Sequence, residues 1–328
     1  MASSIITEDG FVIPKKKRRH KDFSKPIFIS LCLVYGIVAS ILFYFVVNFN
    51  SIILAFTKTD LYGNSEFVWF DNFVEFCQGL FSNGNALAQS FQNSMLTWSI
   101  NLVISLPLYI IFSYQIYKKC FLHKTIRAVS MMPQIISGFV VSMLFVGFIS
   151  GTDSPMYTIF EKLGINDSTG APLQLLYSDG YKYALGTMIF YGVWVSFGTN
   201  LLVYPNAMND ISPEIIEASR LDGVRTMGQD LWHIILPLIF PTLETFFITG
   251  VASIFTDVGY VLTFFPSGVP NGANVSNMGY YYFINVQAGT GDYSVMSAGG
   301  VILTLFAAPI TLLLRWLLEK FGPSSEAK

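Results

Sequence analysis

The run Ser212-Pro213-Glu214-Ile215-Ile216-Glu217-Ala218-Ser219-Arg220-Leu221-Asp222-Gly223 lies between two long apolar stretches, with Thr226-Met227-Gly228-Gln229 after it and Ile234-Ile235-Leu236-Pro237 at its close. Ser212 before Pro213 marks a helix start, because a serine oxygen can cap free amides and proline suits the first helical position. Glu214 and Glu217 fall in the early turns, where carboxylates meet the positive end of the helix dipole. Gly223, about ten residues on, supplies a left-handed stop. Thr226 stands three residues before Gln229, the spacing of a capping box, and opens a second helix through Leu231, Trp232 and Ile235 into Pro237. The segment 205–236 is therefore a helix, a glycine turn and a second helix. Small Ala218 and Ser219 beside Glu217 leave room for another backbone. Pattern alone gives equal weight to a hairpin resting on its own bundle or on headgroups and to an element that docks a partner.

Outward from the hairpin, six stretches reach the roughly 20 apolar residues that cross a bilayer: 27–47, 95–116, 128–150, 183–204, 237–258 and 295–314. Five contain no charged residue, and 237–258 contains Glu244 and Asp257. The composition agrees, since only 12% of the 328 residues are charged, against about 25% in soluble chains. Lipid must cover what charge does not. The expectation is an all-α polytopic membrane protein with six transmembrane helices. It has a basic N-terminal segment (1–26), a six-helix unit (27–320) carrying the loop 205–236, and a short tail (321–328). The first stretch is too long for a removable signal, and no small-residue cleavage site follows Val47.

Several function classes drop out. Hydrophobic residues at 52% exclude disorder, and a net charge of −2 speaks against nucleic acid. Cys32, Cys77 and Cys120 are too scattered for a disulfide framework or metal cluster, and His20, His123 and His233 form no triad or metal constellation. The chain lacks a GxxxxGK[ST] phosphate loop, so it cannot hydrolyse ATP by that route. No catalytic residue, no metal and no cofactor is expected within it.

Basic residues set the expected orientation. Sixteen of the 19 Lys and Arg fall on the side of the hairpin and the two termini, including Lys15-Lys16-Lys17-Arg18-Arg19, and only Lys58, Lys162 and Lys182 fall on the other. That bias puts both termini in the cytoplasm, and beside a membrane helix the basic run reads better as a topology signal than as a nucleic-acid patch.

Glu217-Ala218-Ser219, Asp222-Gly223 and Ile234-Ile235-Leu236-Pro237 resemble the EAA loop of permease subunits in bacterial binding-protein-dependent ABC importers. Ser219 replaces the usual third alanine, small for small, and ten residues separate Gly223 from Ile234, one more than the common spacing. Phe67-Val68-Trp69-Phe70-Asp71-Asn72-Phe73 with Phe91-Gln92-Asn93-Ser94 resembles the stretch before the second helix of maltose-type sugar permeases. The segment from Ile254 through Asp257, Gly259 and Tyr260 to Thr263, with Gly268 and Pro270, is similar to that family's fifth-helix exit. The likeness runs from about residue 25 to about 320.

The resemblance implies a type I ABC importer permease whose coupling helix sits in a groove of a cytoplasmic ATPase. It assigns ATPase contact to Glu217, Ala218, Ser219, Asp222 and Gly223. It also implies the partners: a second, homologous permease, an ATPase dimer that holds the ATP and Mg, an extracytoplasmic solute-binding protein, and a carbohydrate, an oligosaccharide, as solute. The location implied is the bacterial cell membrane.

Groups at membrane depth are the candidates for the solute path: Gln134, Trp194, Asn200, Glu244, Asp257 and Tyr260. Glu244 is open to three roles, bonding a sugar hydroxyl, binding a cation, or pairing within the bundle. Asp257 near its helix end is as well read as hydrated. Any single aromatic, including the tract Tyr280-Tyr281-Tyr282-Phe283, is better explained by packing or interfacial anchoring. Pro237 and Pro241 either localise bending below the fifth helix or mark where the interfacial helix ends. An ion-coupled secondary transporter or channel built on Glu244, an ABC permease for a non-sugar solute, and a membrane scaffold are the competing functions.

Overall fold

A computed structural model describes residues 4–6, 12–14, 24–59, 65–82, 84–288 and 292–321. The basic run within 15–23 and the tail 322–328 lie outside these residues. Contacts divide the chain into two units, 1–53 and 54–328.

The first unit holds a two-stranded antiparallel ribbon, β1 (Ser4–Ile6) with β2 (Val12–Pro14), and most of α1. Helix α1 comprises Ser24–Ser40, a π-turn at Ile41–Val46 and Val47–Ala55. Its apolar window is entirely unburied, and Leu31, Tyr35 and Phe43 are each more than 70% exposed, as suits a surface facing hydrocarbon.

In the second unit, a short ribbon of β3 (Thr57–Thr59) with β4 (Ser65–Phe67) leads to α2 (Asp71–Phe81). Helix α3 joins Ala86–Ile100, a π-turn at Asn101–Ser105 and Leu106–Tyr117. Then follow α4 (His123–Ile135), α5 (Gly138–Ile149) and α6 (Pro155–Leu163). Helix α7 is Ala184–Asn209, and the hairpin is α8 (Pro213–Leu221) with α9, which joins Met227–Asp230, Leu231–Ile235 and Leu236–Leu238. The last helices are α10 (Phe240–Ser253), α11 (Val261–Phe264), α12 (Met278–Ala288) and α13 (Tyr293–Phe321). Among the described residues the two ribbons are minor additions to a mostly helical chain.

Among the described residues, four helices pass the length and hydropathy requirement alone, and the number of spans rises to six if each of two bent pairs counts as one. The third apolar stretch is broken, with α4 and α5 meeting at 103°. Pro133 removes a backbone donor from the last turn of α4, and Ile136 and Ser137 are extended ahead of Gly138, so one straight span across 128–150 does not form. The fifth stretch starts from α9 with a 70° bend into α10 and ends at Ser253, five residues short of the expected limit. The other spans extend past their apolar runs.

Packing follows helical periodicity. Helix α7 buries Ala184, Met188, Tyr191, Gly198, Leu201, Tyr204 and Met208, a stripe in steps of three, four and, once, seven residues. On the hairpin side that stripe joins Tyr109, Ile110, Ile216, Leu231, Ile235 and Leu243 in one core cluster. Toward the other end it joins Phe264, Val275 and Tyr280 in a second. A third, around Phe76, Leu87, Phe255, Met278 and Leu303, seats α2 against α13. Gly198 sits where α4 crosses α7, and a Cβ there would lie 2.5 Å from the Ser130 carbonyl oxygen, so only glycine permits this crossing.

Candidate functional site

The hairpin is closed at each turn by local bonds. Helix α8 begins at Pro213 as expected, but the Ser212 side chain makes no capping bond and only its backbone carbonyl accepts, from the Ile215 amide at 3.1 Å. At the other end Gly223 takes φ +93°, its amide donates to the Arg220 carbonyl at 3.3 Å, and the Val224 amide donates to the Ser219 carbonyl at 3.1 Å. These two bonds make a Schellman closure. The capping box forms in full: the Gln229 amide donates to Thr226 Oγ1 at 3.3 Å, and the Thr226 amide donates to Gln229 Oε1 at 3.3 Å.

The two faces of α8 differ. Ile216 and Ser219, three residues apart, are buried, and the Ser219 hydroxyl donates to the Ile216 carbonyl at 2.9 Å. Glu214, Glu217, Ala218, Asp222 and Gly223 are exposed together with Leu221, which is 89% exposed. Of the five residues assigned to coupling, four thus share an open ridge and Ser219 faces the chain's own core. Leu221 was not singled out in the sequence. Its signal is a large apolar side chain off the buried 216–219 stripe.

Sequence reasoning also missed the polar node beneath the hairpin. Asp230 in α9 accepts from the Tyr114 hydroxyl at 2.6 Å and pairs with Lys118 Nζ at 2.6 Å. The Lys118 ammonium stands 5.3 Å and 5.2 Å from the Tyr114 and Tyr117 ring centres. Burial opposes ionisation of Asp230, but the hydrogen bonds from Lys118 and Tyr114 and the charges of Lys118 and Arg220 outweigh it and hold the carboxyl below its ordinary range. A cavity of about 350 Å³ opens beside the node, lined by Tyr114, Lys118, Ser219, Arg220, Arg225 and Asp230 among others.

The solute-path candidates are only partly brought together. Trp194 and Tyr260 both pack on Tyr191, with ring centres 5.9 Å and 4.8 Å away, and Phe145 stacks on Trp194 at 6.0 Å. Gln134 Nε2 donates to the Val195 carbonyl at 2.7 Å, beside this cluster. Asn200 is turned back on its own helix, donating to the Ser196 carbonyl at 2.8 Å. Glu244 is half-buried one turn into α10, and Arg315 in α13 pairs with Glu319 at 2.7 Å. Asp257 is exposed beyond the end of α10, where its Oδ1 accepts the Gly259 amide at 2.8 Å. Tyr280 is buried and its hydroxyl accepts the Val269 amide at 3.3 Å, a packing role.

The chain is 27% identical over 239 residues to a probable ABC transporter permease protein of Mycoplasma genitalium, covering 70% of this chain and 66% of that one, just under two thirds of its length. It is 22% identical over 325 residues to the polygalacturonan/rhamnogalacturonan transport system permease protein of Bacillus subtilis, covering 95% and 94% of the two chains. Its fold matches a chain of a bacterial alginate ABC transporter, crystallised in complex with an alginate pentasaccharide-bound periplasmic protein. That match has a TM-score of 0.74 and 20% identity, and it covers 93% of this chain and 98% of that one. A family model matches residues 105–325, from the middle of α3 through the hairpin to the end of α13, and by it the chain belongs to the binding-protein-dependent transport system inner membrane components.

Proposed function

We propose that this chain is a permease subunit of an ATP-driven importer for a carbohydrate, an oligosaccharide, handed over by an extracytoplasmic binding protein. The observation that carries the reading is the α8 ridge: a helix closed by a Schellman turn that buries Ile216 and Ser219 and leaves Glu217, Ala218, Asp222 and Gly223 open. An exposed ridge next to α9, which leads directly into α10, suits a groove on an ATPase. The hairpin side then lies in the cytoplasm with both termini, in keeping with the distribution of Lys and Arg. ATP and Mg belong to the partner ATPase dimer, and a second, homologous permease completes the pathway. The names of the Bacillus subtilis and alginate relatives support a sugar polymer as the solute class.

Movement follows alternating access. Loaded binding protein docks on the outer face, nucleotide-driven closure of the ATPases pushes α8, and the 70° joint between α9 and α10 passes the push into the membrane. Pro241 at the start of α10 and Ile239 with φ −89° and ψ 3° define that joint. Glu217→Arg and Gly223→Pro are each expected to leave membrane insertion intact while abolishing ATPase capture and uptake from a panel of neutral and acidic oligosaccharides. Normal uptake by both variants would refute the coupling role. Flux driven by an ion gradient through the chain reconstituted alone would refute the importer.

A further inference from the structure

The hairpin is attached to the bundle covalently at α7 and α10, yet its strongest polar contact is with neither. Asp230 bonds the end of α3, 116 residues earlier, through the Tyr114 hydroxyl and the Lys118 ammonium, both at 2.6 Å. All three groups are well placed for a firm joint. Tyr114 is 4% and Asp230 9% exposed, and Lys118 follows the last turn of α3, where a cation also meets the negative end of the helix dipole. A carboxylate taken from water cannot give up such partners without leaving a buried charge unpaired. Underneath, Ile216, Leu231 and Ile235 share one core cluster with Tyr109, Ile110 and Tyr114, so apolar packing and the ion pair act on the same two elements. Arg220 and Arg225 line the cavity beside the node together with Tyr114, Lys118 and Asp230.

We propose that Asp230 is a positioning residue that locks the α8–α9 hairpin to α3 through Lys118 and Tyr114, so that a push on α8 reaches α3 as well as α10. The proposal rests on the importer reading. Its distinctive consequence is mechanical: α9 and α3 keep one separation through the ATP cycle.

The test uses the full transporter, co-expressed with its ATPase, second permease and binding protein and placed in lipid nanodiscs. Spin labels replace exposed Phe112 on α3 and Trp232 on α9 in a background lacking Cys32, Cys77 and Cys120. The expected result is one distance distribution in the parent protein, unchanged between nucleotide-free and ATP-vanadate-trapped states. Asp230→Asn should still capture the ATPase through the α8 ridge, but its distribution should shift by about 2 Å or more, or broaden, on trapping. Tyr114→Phe, which removes one donor only, should broaden less. Exchanging the charges, Lys118→Asp with Asp230→Lys, should restore the single distance. A parent protein whose labels separate on trapping overturns the proposal, as does Asp230→Asn with an unchanged distance. A charge-exchanged protein that captures the ATPase yet stays broad does the same. Failure of the parent protein to capture any ATPase instead overturns the importer reading beneath it.

Discussion

Asp167 shows how much order a few side-chain bonds impose on a polar loop. Its Oδ1 accepts from the Thr169 hydroxyl at 2.6 Å and from the Thr169 and Ala171 amides at 2.9 Å and 3.2 Å, while Oδ2 accepts from the Ser178 hydroxyl at 3.1 Å. Asp179 does the same for the Ser168 amide and hydroxyl. The Thr169 hydroxyl bond foremost, and for Asp179 the Ser168 hydroxyl bond, stabilise the charged forms and lower both carboxyl pKa values. A depressed carboxylate adds stability above its unfolded pKa and loses it as pH falls through the folded value. Hydrogen exchange should therefore find the Thr169 and Ala171 amides protected at neutral pH and released below about pH 4. Asp167→Asn should remove most of that pH dependence. None of these partnerships follows a sequence pattern that separates them from any other Ser/Thr/Asp-rich loop.

At the scale of elements, caps and close crossings decide what forms. Thr226 and Gln229 could be read from spacing because a capping box is local. Thr226→Ala should destabilise the start of α9 by about 1 kcal/mol, measured as faster exchange of the Gln229 amide. The crossing of α4 and α7 at Gly198 could not be read that way, since it depends on the Ser130 carbonyl, 68 residues earlier. Gly198→Ala must part the two helices and should lower thermal stability by about 1–3 kcal/mol. An unchanged melting temperature would show that the crossing is looser than the 2.5 Å approach implies. The break between α4 and α5 lies between these cases. Pro133 and Gly138 announce a weak point, but the 103° turn comes from the packing of α5 on α11 and of α4 on α7.

For the molecule as a whole, hydropathy marks the spans, and charge distribution supplies the orientation proposed above. Single cysteines at Leu163, 67% exposed beyond α5, and at Leu221 in the hairpin give a direct check. In intact cells a membrane-impermeant maleimide is expected to label Leu163→Cys and to spare Leu221→Cys until the membrane is opened. The reverse pattern would invert the topology and with it the ATPase-facing role proposed for α8. The apolar runs, the basic bias and the capped hairpin were legible in the sequence because each is periodic or local, encoded within a turn or within one span's length. Tertiary structure alone decided that Ser219 turns inward while Leu221 stays outside. It alone joined Asp230 to Tyr114 and Lys118. These outcomes depend on which helix faces meet across a hundred residues of chain, and that is fixed by packing of the whole unit rather than by any window of sequence.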